Sequence, residues 1–258
     1  VWGLSLCGGL TQVLLAPGEF MGEMTDEDGV VHRVERVTDS VRIDAIRSAI
    51  ASAPVVIADG HHRYAISRTY RDEMRAANSP LAPTAGLTMT YVAELVEEQL
   101  SIAAIHRLVA AVSPSQMEDI LSEFYTRVSD STLSDNTLTL MNSEKAICLV
   151  RPDGSKTLFT EKTEKFSEVR ALDSARLEHA ITTALGSLDT AGISYQHGTH
   201  EVLDALKAGN AQCAVLIRPV SLAEIRRTAD EGLLMPPKST FFTPKLRTGL
   251  AMRPLAAG

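Results

Sequence analysis

Apolar and polar positions alternate in the first part of the chain and then recur at helical spacing. Residues 1–15 and 29–38 are predicted to be strands, and the DEDG segment before the second strand indicates a turn. Residues 40–52 are predicted to form a helix, because four apolar side chains fall on one broad face. These side chains are Val41, Ile43, Ile46 and Ile50.

The next segment combines a strand, a turn and a long helix. VVIA (55–58) has the continuous apolar composition of a buried strand, Asp59-Gly60 is a tight turn, and a helix is predicted to run to about Ala77. Three apolar side chains recur at every fourth position, so we expect them to face the core: Ile66, Tyr70 and Met74. NSPLAPTAG (78–86) is predicted to be a loop.

The second half of the chain mixes strands and helices in the same way. Two helices are predicted from capping boxes, at Ser115 with Glu118 and at Ser221 with Glu224. Two more are predicted to stop at Gly186 and Gly209. The predicted strands are LTMTYVAELV (87–96), a hairpin around Asp153-Gly154 and AQCAVLI (211–217), whereas IAAIHRLVAAV (102–112) fits a strand or a helix.

Strands and helices therefore alternate along the whole chain. This order predicts the α/β class, with α+β as the alternative, and a mixed sheet flanked by helices. We expect two domains, residues 1–110 and residues 111–258. The first would contain the Asp59-Gly60 turn, and the second would be a C-terminal α/β domain.

Composition and charge narrow the classes of function. Hydrophobic residues make up 45% of the 258 residues and charged residues 22%, as in ordinary soluble globular proteins. The net charge of -7 argues against nucleic acid as a partner, and no apolar run is long enough to cross a bilayer. Cys7, Cys148 and Cys213 have no metal-binding spacing, so we expect a reduced, cytoplasmic protein. The oligomeric state stays open, a homo-oligomer included.

A basic cluster opens the helix that follows the tight turn. His61, His62 and Arg63 come directly after Gly60, at a position where most helices carry acidic side chains that complement the helix dipole. Free N–H groups of the first turn, a glycine that lets a ligand approach, and cationic side chains together favour a phosphate or a carboxylate. We therefore predict an oxyanion site at residues 59–63.

Two other interpretations of this cluster stay open at the level of sequence. His62 lies four residues before Ile66 on the apolar stripe, where a single histidine is often a core residue with satisfied hydrogen bonds. A metal site of Asp59, His61 and His62 would use ordinary ligands. Adjacent residues of a helix diverge by roughly 100°, however, which makes a shared ion geometrically awkward.

Several segments of the chain resemble one family. VVIADGHHRYAISRTYRDE (55–73) is similar to the signature of a prokaryotic family catalogued as domain of unknown function 1015. Further segments resemble that family in the expected order: GVVHRVERVTD, IHRL (105–108), LDSARLEHAITTALG and MPPKSTFFTPKLRTGL. The resemblance covers nearly the whole chain, and ADGHHRY and MPPKSTFF are its specific motifs. An N-terminal part of the family would precede Val1, so we expect this chain to be a fragment.

At a greater distance, the strand–DGHHR–helix unit resembles the ParB/sulfiredoxin superfamily, whose members hold nucleotide phosphates with a G-x-x-R turn. The resemblance implies that Gly60, His62 and Arg63 bind ATP or another nucleotide. It implies catalytic roles for Asp59, His61 and His62, with Asp59 holding Mg²⁺ or the turn itself. The sulfiredoxin branch has its reactive cysteine where this chain has His61, which argues against sulfinic-acid reduction.

The C-terminal motif MPPKSTFFTPKLRTGL (235–250) has two open interpretations. Its prolines favour an extended strap with Phe241 and Phe242 docked on the core, and Lys-Ser-Thr alone lacks the glycine frame of a Walker loop. The resemblance to the family implies instead that four residues of this motif contact a ligand. These are Lys238 and Lys245 for the nucleotide and Ser239 and Thr240 for the substrate.

IHRL places two more polar residues within an apolar stretch. A lone histidine in such a stretch is usually structural, but the family match makes His106 and Arg107 candidate substrate contacts.

The free-serine kinase branch of the superfamily carries DGH-type turns like this one. The resemblance implies nucleotide-dependent phosphorylation of a small, serine-like hydroxylated metabolite, a reaction that needs positioning and charge neutralisation. That branch also uses an acidic base from an earlier segment, which this sequence does not show. The alternative is a non-catalytic nucleotide-binding switch module of the ParB type, and the two differ in whether nucleotide is consumed.

Overall fold

The chain folds into two compact units. The structure is a computed structural model that describes residues 1–27, 29–243, 245–247 and 249–255. One unit comprises Val1–Ser101 with the described part of the segment after Thr243, and the other comprises Ile102–Thr243. Asp28 of the predicted turn, together with Pro244 and Thr248 of the C-terminal motif, lies outside the described residues. Both units mix helices and strands, which confirms the α/β class.

The first unit contains a small sheet, a separate hairpin and short to medium helices. Its strands are β1 (Trp2–Ser5), β2 (Glu19–Thr25), β3 (Val31–Arg36), β4 (Val55–Asp59) and β5 (Tyr91–Glu94). Its helices are α1 (Leu10–Leu14), α2 (Ser40–Ala51), α3 (His61–Ala76) and α4 (Ala82–Ala85). The sheet has the order β4-β1-β5, with β1 antiparallel to β4 and parallel to β5, and β2 pairs with β3 in an antiparallel hairpin.

The prediction of one strand over residues 1–15 is wrong in its second half, because a turn and α1 follow β1. Gly9, directly before α1, has a φ of 92°, a left-handed conformation that does not continue a strand. The buried carboxylate of Glu94 then accepts the N–H groups of Gly9 at 2.9 Å and Thr11 at 2.7 Å. This cap comes from β5, so local periodicity could not reveal it.

The helices α2 and α3 confirm the two predicted helices of this unit. Asp39 caps α2 by accepting the N–H of Arg42 at 2.7 Å. The expected core face of α3 is wrong for Ile66, which is 68% exposed, whereas Tyr70 and Met74 are half-buried. Hydrophobic spacing identifies which side of a helix is apolar, but the tertiary structure decides whether that side is covered.

The second unit is built around a larger antiparallel sheet. Its strands are β7 (His106–Val109), β8 (Tyr125–Thr132), β9 (Ala146–Val150), β10 (Ser155–Glu161), β11 (Ile193–Gln196), β12 (Cys213–Leu216), β13 (Phe241–Thr243) and, apart from its first residue, β6 (Ser101–Ala103). Its helices are α5 (Pro114–Phe124), α6 (Thr137–Glu144), α7 (Asp173–Leu185), α8 (Thr199–Lys207) and α9 (Leu222–Asp230). Six strands pair in the order β11-β7-β12-β9-β10-β8, all antiparallel, and β6 pairs with β13.

The central strand β9 is buried on both of its faces. Ile147 and Leu149 pack in a cluster with α5 and α7, whereas Ala146, Cys148 and Val150 pack in a second cluster with α6 and α8. Alternate side chains of a strand point to opposite faces, so helices must cover both sides of the sheet. This explains why AICLV is continuously apolar, and it confirms the predicted hairpin with β10.

The capping box of α5 lies two residues before the predicted one. Ser113 accepts the N–H of Gln116, and the Gln116 side chain accepts the N–H of Ser113. Pro114 stands in the first turn, where its missing N–H would have no intrahelical partner in any case. The predicted pair of Ser115 and Glu118 is therefore wrong.

All three cysteines are free and buried, and burial raises the pKa of Cys148 and of Cys213 to about 12.

Among the helices of the described residues, none combines the length and the apolar composition needed to span a membrane.

We expect Leu149→Ala to destabilise the protein by about 2–5 kcal/mol, because it leaves a cavity beside a central strand that is covered on both faces. Urea unfolding followed by circular dichroism measures this change. Val128→Ala on β8, where the side chain is 44% exposed, is the matched control and should cost less than about 1 kcal/mol. Equal losses in the two variants would contradict the two-faced core.

Candidate functional site

The predicted oxyanion site lies where β4 meets α3. β4 ends at Asp59, Gly60 is the N-cap with a φ of 88°, and α3 begins at His61. Within the described part of the chain, no side chain caps this helix, and its first turn holds no acidic residue. The first N–H groups of a 16-residue helix therefore lack the capping side chain that usually satisfies them.

The carboxylate of Asp59 binds two cations. Nη2 of Arg63 lies 2.6 Å from one oxygen, and Nζ of Lys245 lies 3.0 Å from the other. Lys245 comes 186 residues later in the chain and belongs to the same compact unit. The side chains of Arg63 and Lys245 are 61% and 45% exposed, so solvent weakens both ion pairs.

Gly60 is required for space as well as for backbone conformation. A Cβ built at this position would stand 3.1 Å from both Nε and Nη2 of Arg63. The guanidinium of Arg63 therefore folds back over the turn, at the start of α3. Any other residue at position 60 would push this guanidinium away and would strain a left-handed backbone.

His61 and His62 are exposed, and neither has a hydrogen-bond or ion-pair partner among the described residues. The interpretation of His62 as a core histidine is therefore wrong. The described residues contain no group of three or more His, Cys, Asp or Glu side chains arranged to hold a metal ion. A role for Asp59 in holding Mg²⁺ stays a prediction.

Arg107 is enclosed in the second unit. It is 1% exposed, and it donates hydrogen bonds to the carbonyl oxygens of Ile105 and Lys238 and to the carboxylate of Glu178 at 3.1 Å. Its guanidinium also lies 5.2 Å from the ring centroid of Tyr195. A buried guanidinium needs such partners because an unpaired buried charge is strongly destabilising.

His106 and Ser239 are buried beside this arginine in the same unit. Nδ1 of His106 accepts the N–H of Ile217 at 3.3 Å. The hydroxyl of Ser239 donates to the carbonyl of Pro236 at 2.7 Å and lies 3.0 Å from the hydroxyl of Ser174. Both side chains are thus engaged in holding the protein structure.

The loop that contains Ser239 presents other predicted residues to solvent. Lys238 is exposed and has a φ of 56°, which is uncommon for a residue with a Cβ. Thr240 is half-buried, and Phe241 stacks on His197 with ring centroids 4.5 Å apart. Phe242 is buried, as expected for a strap docked on the core.

Three segments that carry the family resemblance converge in the second unit. IHRL contacts LDSARLEHAITTALG through Arg107 and Glu178, and it contacts MPPKSTFF through the carbonyl of Lys238. Ser174 and Ser239 join the last two segments. The sequence pattern does not single out Glu178, because helical spacing predicts that it lies on a helix but not what it contacts. The one signal was its position inside a family-like segment.

Comparison with known proteins places the chain in a family. The family described as Protein of unknown function (DUF1015) matches residues 10–180, which is more than half of the chain. The chain belongs to that family. No curated protein matches it.

Several solved structures are weakly similar to this one. A conserved hypothetical protein from Pyrococcus furiosus is 11% identical with a TM-score of 0.44, and the match covers 73% of this chain and 70% of that chain. A free serine kinase in complex with AMP is 11% identical with a TM-score of 0.42, covering 73% and 67%. A point mutant of a free serine kinase in complex with ADP is 12% identical with a TM-score of 0.41, also covering 73% and 67%.

We expect Gly60→Ala to lose about 1–2 kcal/mol of stability and also to displace the Arg63 guanidinium. Gly9→Ala is the matched control, because Gly9 is likewise a left-handed N-cap after a strand but has nothing within 4 Å of its Cβ position. Thermal unfolding measures the stability of each variant, and titration with inorganic phosphate measures anion affinity. Only Gly60→Ala should weaken phosphate binding. An equal effect of both variants on phosphate affinity would refute the steric role of Gly60.

Burial lowers the pKa of His106 from 6.5 to about 4, and the electrostatic effect of the neighbouring Arg107 acts in the same direction. Between these pH values the unfolded chain binds a proton that the folded chain does not, so stability falls as the pH drops from 6.5 towards 4. The loss amounts to about 3 kcal/mol.

His106→Asn should remove this part of the pH dependence, since the asparagine oxygen can accept the N–H of Ile217 and does not titrate. Urea unfolding from pH 7 down to about pH 4 measures the slope. The control is His200→Asn, which changes an exposed histidine and should leave the slope unchanged. A slope that persists in His106→Asn would assign the acid sensitivity to other groups.

Proposed function

We propose that this protein binds the phosphate of a nucleotide at residues 59–63. The observation that supports this best is the start of α3, where an uncapped helix N-terminus, a left-handed Gly60 and the exposed cations Arg63 and Lys245 occur together. A phosphate at this position would accept hydrogen bonds from backbone N–H groups, and two cationic side chains would neutralise its charge.

The binding roles follow from the positions of these side chains. Gly60 and the N–H groups after it would hold the phosphate, while Arg63 and His62 would neutralise its oxygens. Lys245 would supply a second cation from the other side of Asp59. The resemblance of this turn to the ParB/sulfiredoxin superfamily supports a nucleotide as the source of the phosphate, with ATP as the first candidate.

We propose further that the bound nucleotide phosphorylates a small hydroxylated metabolite, serine-like in size and polarity. Phosphoryl transfer depends mainly on positioning and on charge neutralisation, which this site offers. Asp59 would hold Mg²⁺, and the exposed imidazole of His61 would orient the nucleotide or the acceptor. His62 would act beside them as a catalytic residue.

The substrate contacts proposed for the second unit differ in accessibility. Thr240 is half-buried and Lys238 is exposed, so both can meet a ligand directly. His106, Arg107 and Ser239 are almost fully enclosed. The role of Arg107 and Ser239 in binding would be to hold the loop that presents Lys238.

Consumption of nucleotide tests the kinase proposal directly. The protein is incubated with ATP or CTP, Mg²⁺ and an acceptor such as serine or glycerol, and phosphorus NMR follows the products. A phosphorylated acceptor and a nucleoside diphosphate support phosphoryl transfer. Binding without consumption refutes the kinase and favours the non-catalytic switch of the ParB type.

We expect Arg63→Ala to bind nucleotide at least about tenfold more weakly than the wild type, because it removes a charge-assisted hydrogen bond to phosphate. A thermal-shift titration with ATP, ADP and CTP in the presence of Mg²⁺ measures this affinity. Arg68→Ala is the matched control, since Arg68 is an exposed arginine of the same helix just over one turn away. The proposal fails if no nucleotide stabilises the wild type, or if Arg63→Ala binds as well as Arg68→Ala.

A further inference from the structure

We propose that Tyr91 is the stacking platform for the base of the nucleotide whose phosphate binds at residues 59–63. The aromatic ring of Tyr91 would take one face of the base, and the phosphates would extend from there to the start of α3. This inference rests on the proposed nucleotide-phosphate site. It adds the residue that distinguishes a nucleotide from inorganic pyrophosphate.

The small sheet of the first unit aligns Tyr91 with the phosphate site. Trp2 of the middle strand β1 pairs with Asp59 of β4 on one side and with Tyr91 of β5 on the other. The N–H of Tyr91 donates to the carbonyl of Val1 at 2.9 Å, in keeping with this register. Neighbouring strands lie about 4.8 Å apart, so about 10 Å separates the backbones of Asp59 and Tyr91.

This arrangement suits the shape of a nucleotide. Asp59 and Tyr91 lie at the same end of the sheet, because both pair with Trp2, and α3 begins at this end. The ribose stands between the base and the phosphates of a nucleotide. A residue that contacts the base therefore has to lie some distance from the groups that bind phosphate, as Tyr91 does.

The ring of Tyr91 is exposed and is also supported from within the protein. Tyr91 is 53% exposed, and its ring contacts the indole of Trp2 in a T-shaped arrangement with centroids 6.0 Å apart. Trp2 is 3% exposed, so its indole is a fixed support. A supported ring loses little conformational freedom when a ligand stacks on it, and this lowers the cost of binding.

The position of β5 leaves room for a flat ligand. In the sheet order β4-β1-β5 this strand is at the edge, and no strand of the described residues pairs with its outer side. An exposed aromatic side chain on an edge strand can offer its ring to a base without displacing another element.

Stacking also indicates which ligands Tyr91 would select. Every base has a π-face, so an aromatic side chain binds different bases with little preference among them. Pyrophosphate has no such face. Tyr91 would therefore favour nucleotides over pyrophosphate and leave the choice between ATP and CTP to other contacts.

Tyr64 provides a matched control. It is the other exposed tyrosine of the first unit, and its N–H donates to the carbonyl of Gly60 at 2.9 Å, so it lies close to the phosphate site. Among the described residues, no aromatic ring supports Tyr64 as Trp2 supports Tyr91. If general proximity to the site mattered instead of a supported ring, the two tyrosines would be equivalent.

The test is isothermal titration calorimetry with the full chain, using ADP and, separately, inorganic pyrophosphate. The proteins are the wild type, Tyr91→Ala, Tyr91→Phe and Tyr64→Ala. Phenylalanine keeps the aromatic face, and alanine removes it. Circular dichroism confirms that the variants are folded.

We expect Tyr91→Ala to bind ADP at least about tenfold more weakly than the wild type, because the base loses its stacking contact. Its affinity for pyrophosphate should be unchanged, since pyrophosphate does not reach this ring. Tyr91→Phe and Tyr64→Ala should bind both ligands as the wild type does.

The fluorescence of Trp2 supplies an independent measurement. Trp2 is the one tryptophan of the chain, and its indole contacts the ring of Tyr91. ADP should therefore change the emission of the wild type and of Tyr64→Ala with the same concentration dependence as in calorimetry, whereas pyrophosphate should not. An unchanged emission at saturating ADP, or an equal change with pyrophosphate, would contradict a base beside Tyr91.

The remaining outcomes separate a failure of this inference from a failure of the proposed function. If Tyr91→Ala binds ADP as tightly as the wild type, or if Tyr64→Ala shows the loss instead, the role of Tyr91 is refuted and the phosphate site stands. If Tyr91→Ala loses affinity for ADP and pyrophosphate equally, the ring supports the phosphate site and does not stack a base. If the wild type does not bind ADP, the proposed function fails and the inference with it.

Discussion

The second unit depends on one constraint, which is that the central strands of its antiparallel sheet are buried on both faces. Helices on each side exclude water, so polar groups carried into these layers need partners within the protein. β7 brings two such groups, His106 and Arg107. Two partners of Arg107 come from α7 and from the loop around Lys238, so the hydrogen bonds of this one charge join three segments that are distant in the chain.

The two units place the same type of ion pair in different surroundings. The pair of Arg107 and Glu178 is largely enclosed, and removing one partner would leave a buried charge without compensation. The pair of Arg63 and Asp59 is open to water, where screening makes it weak. Burial thus makes the first pair costly to break, whereas exposure to solvent leaves the second pair weak.

Sequence patterns predicted the elements whose causes are local. The strand, turn and helix around Gly60 follow from an apolar run, a glycine and helical spacing within about twenty residues, and the structure confirms these elements. The expected burial of the strand is wrong, because Val55 is exposed and the rest of β4 is half-buried. The hairpin at Gly154 follows from equally local signals. The prediction for residues 1–15 failed because the carboxylate that caps α1 comes from Glu94, far away in the sequence. The prediction for Ile66 failed because no other element covers that side of the helix.

The sequence by itself determined the α/β class, the family and the basic cluster at the start of α3, because each depends on residues that are neighbours in the chain. The tertiary structure decided which charges meet that cluster. Lys245 reaches Asp59 across 186 residues, and the first unit leaves His62 exposed rather than in a core. Such contacts depend on how elements pack, and a pattern of neighbouring residues carries no information about a partner supplied by a remote part of the chain.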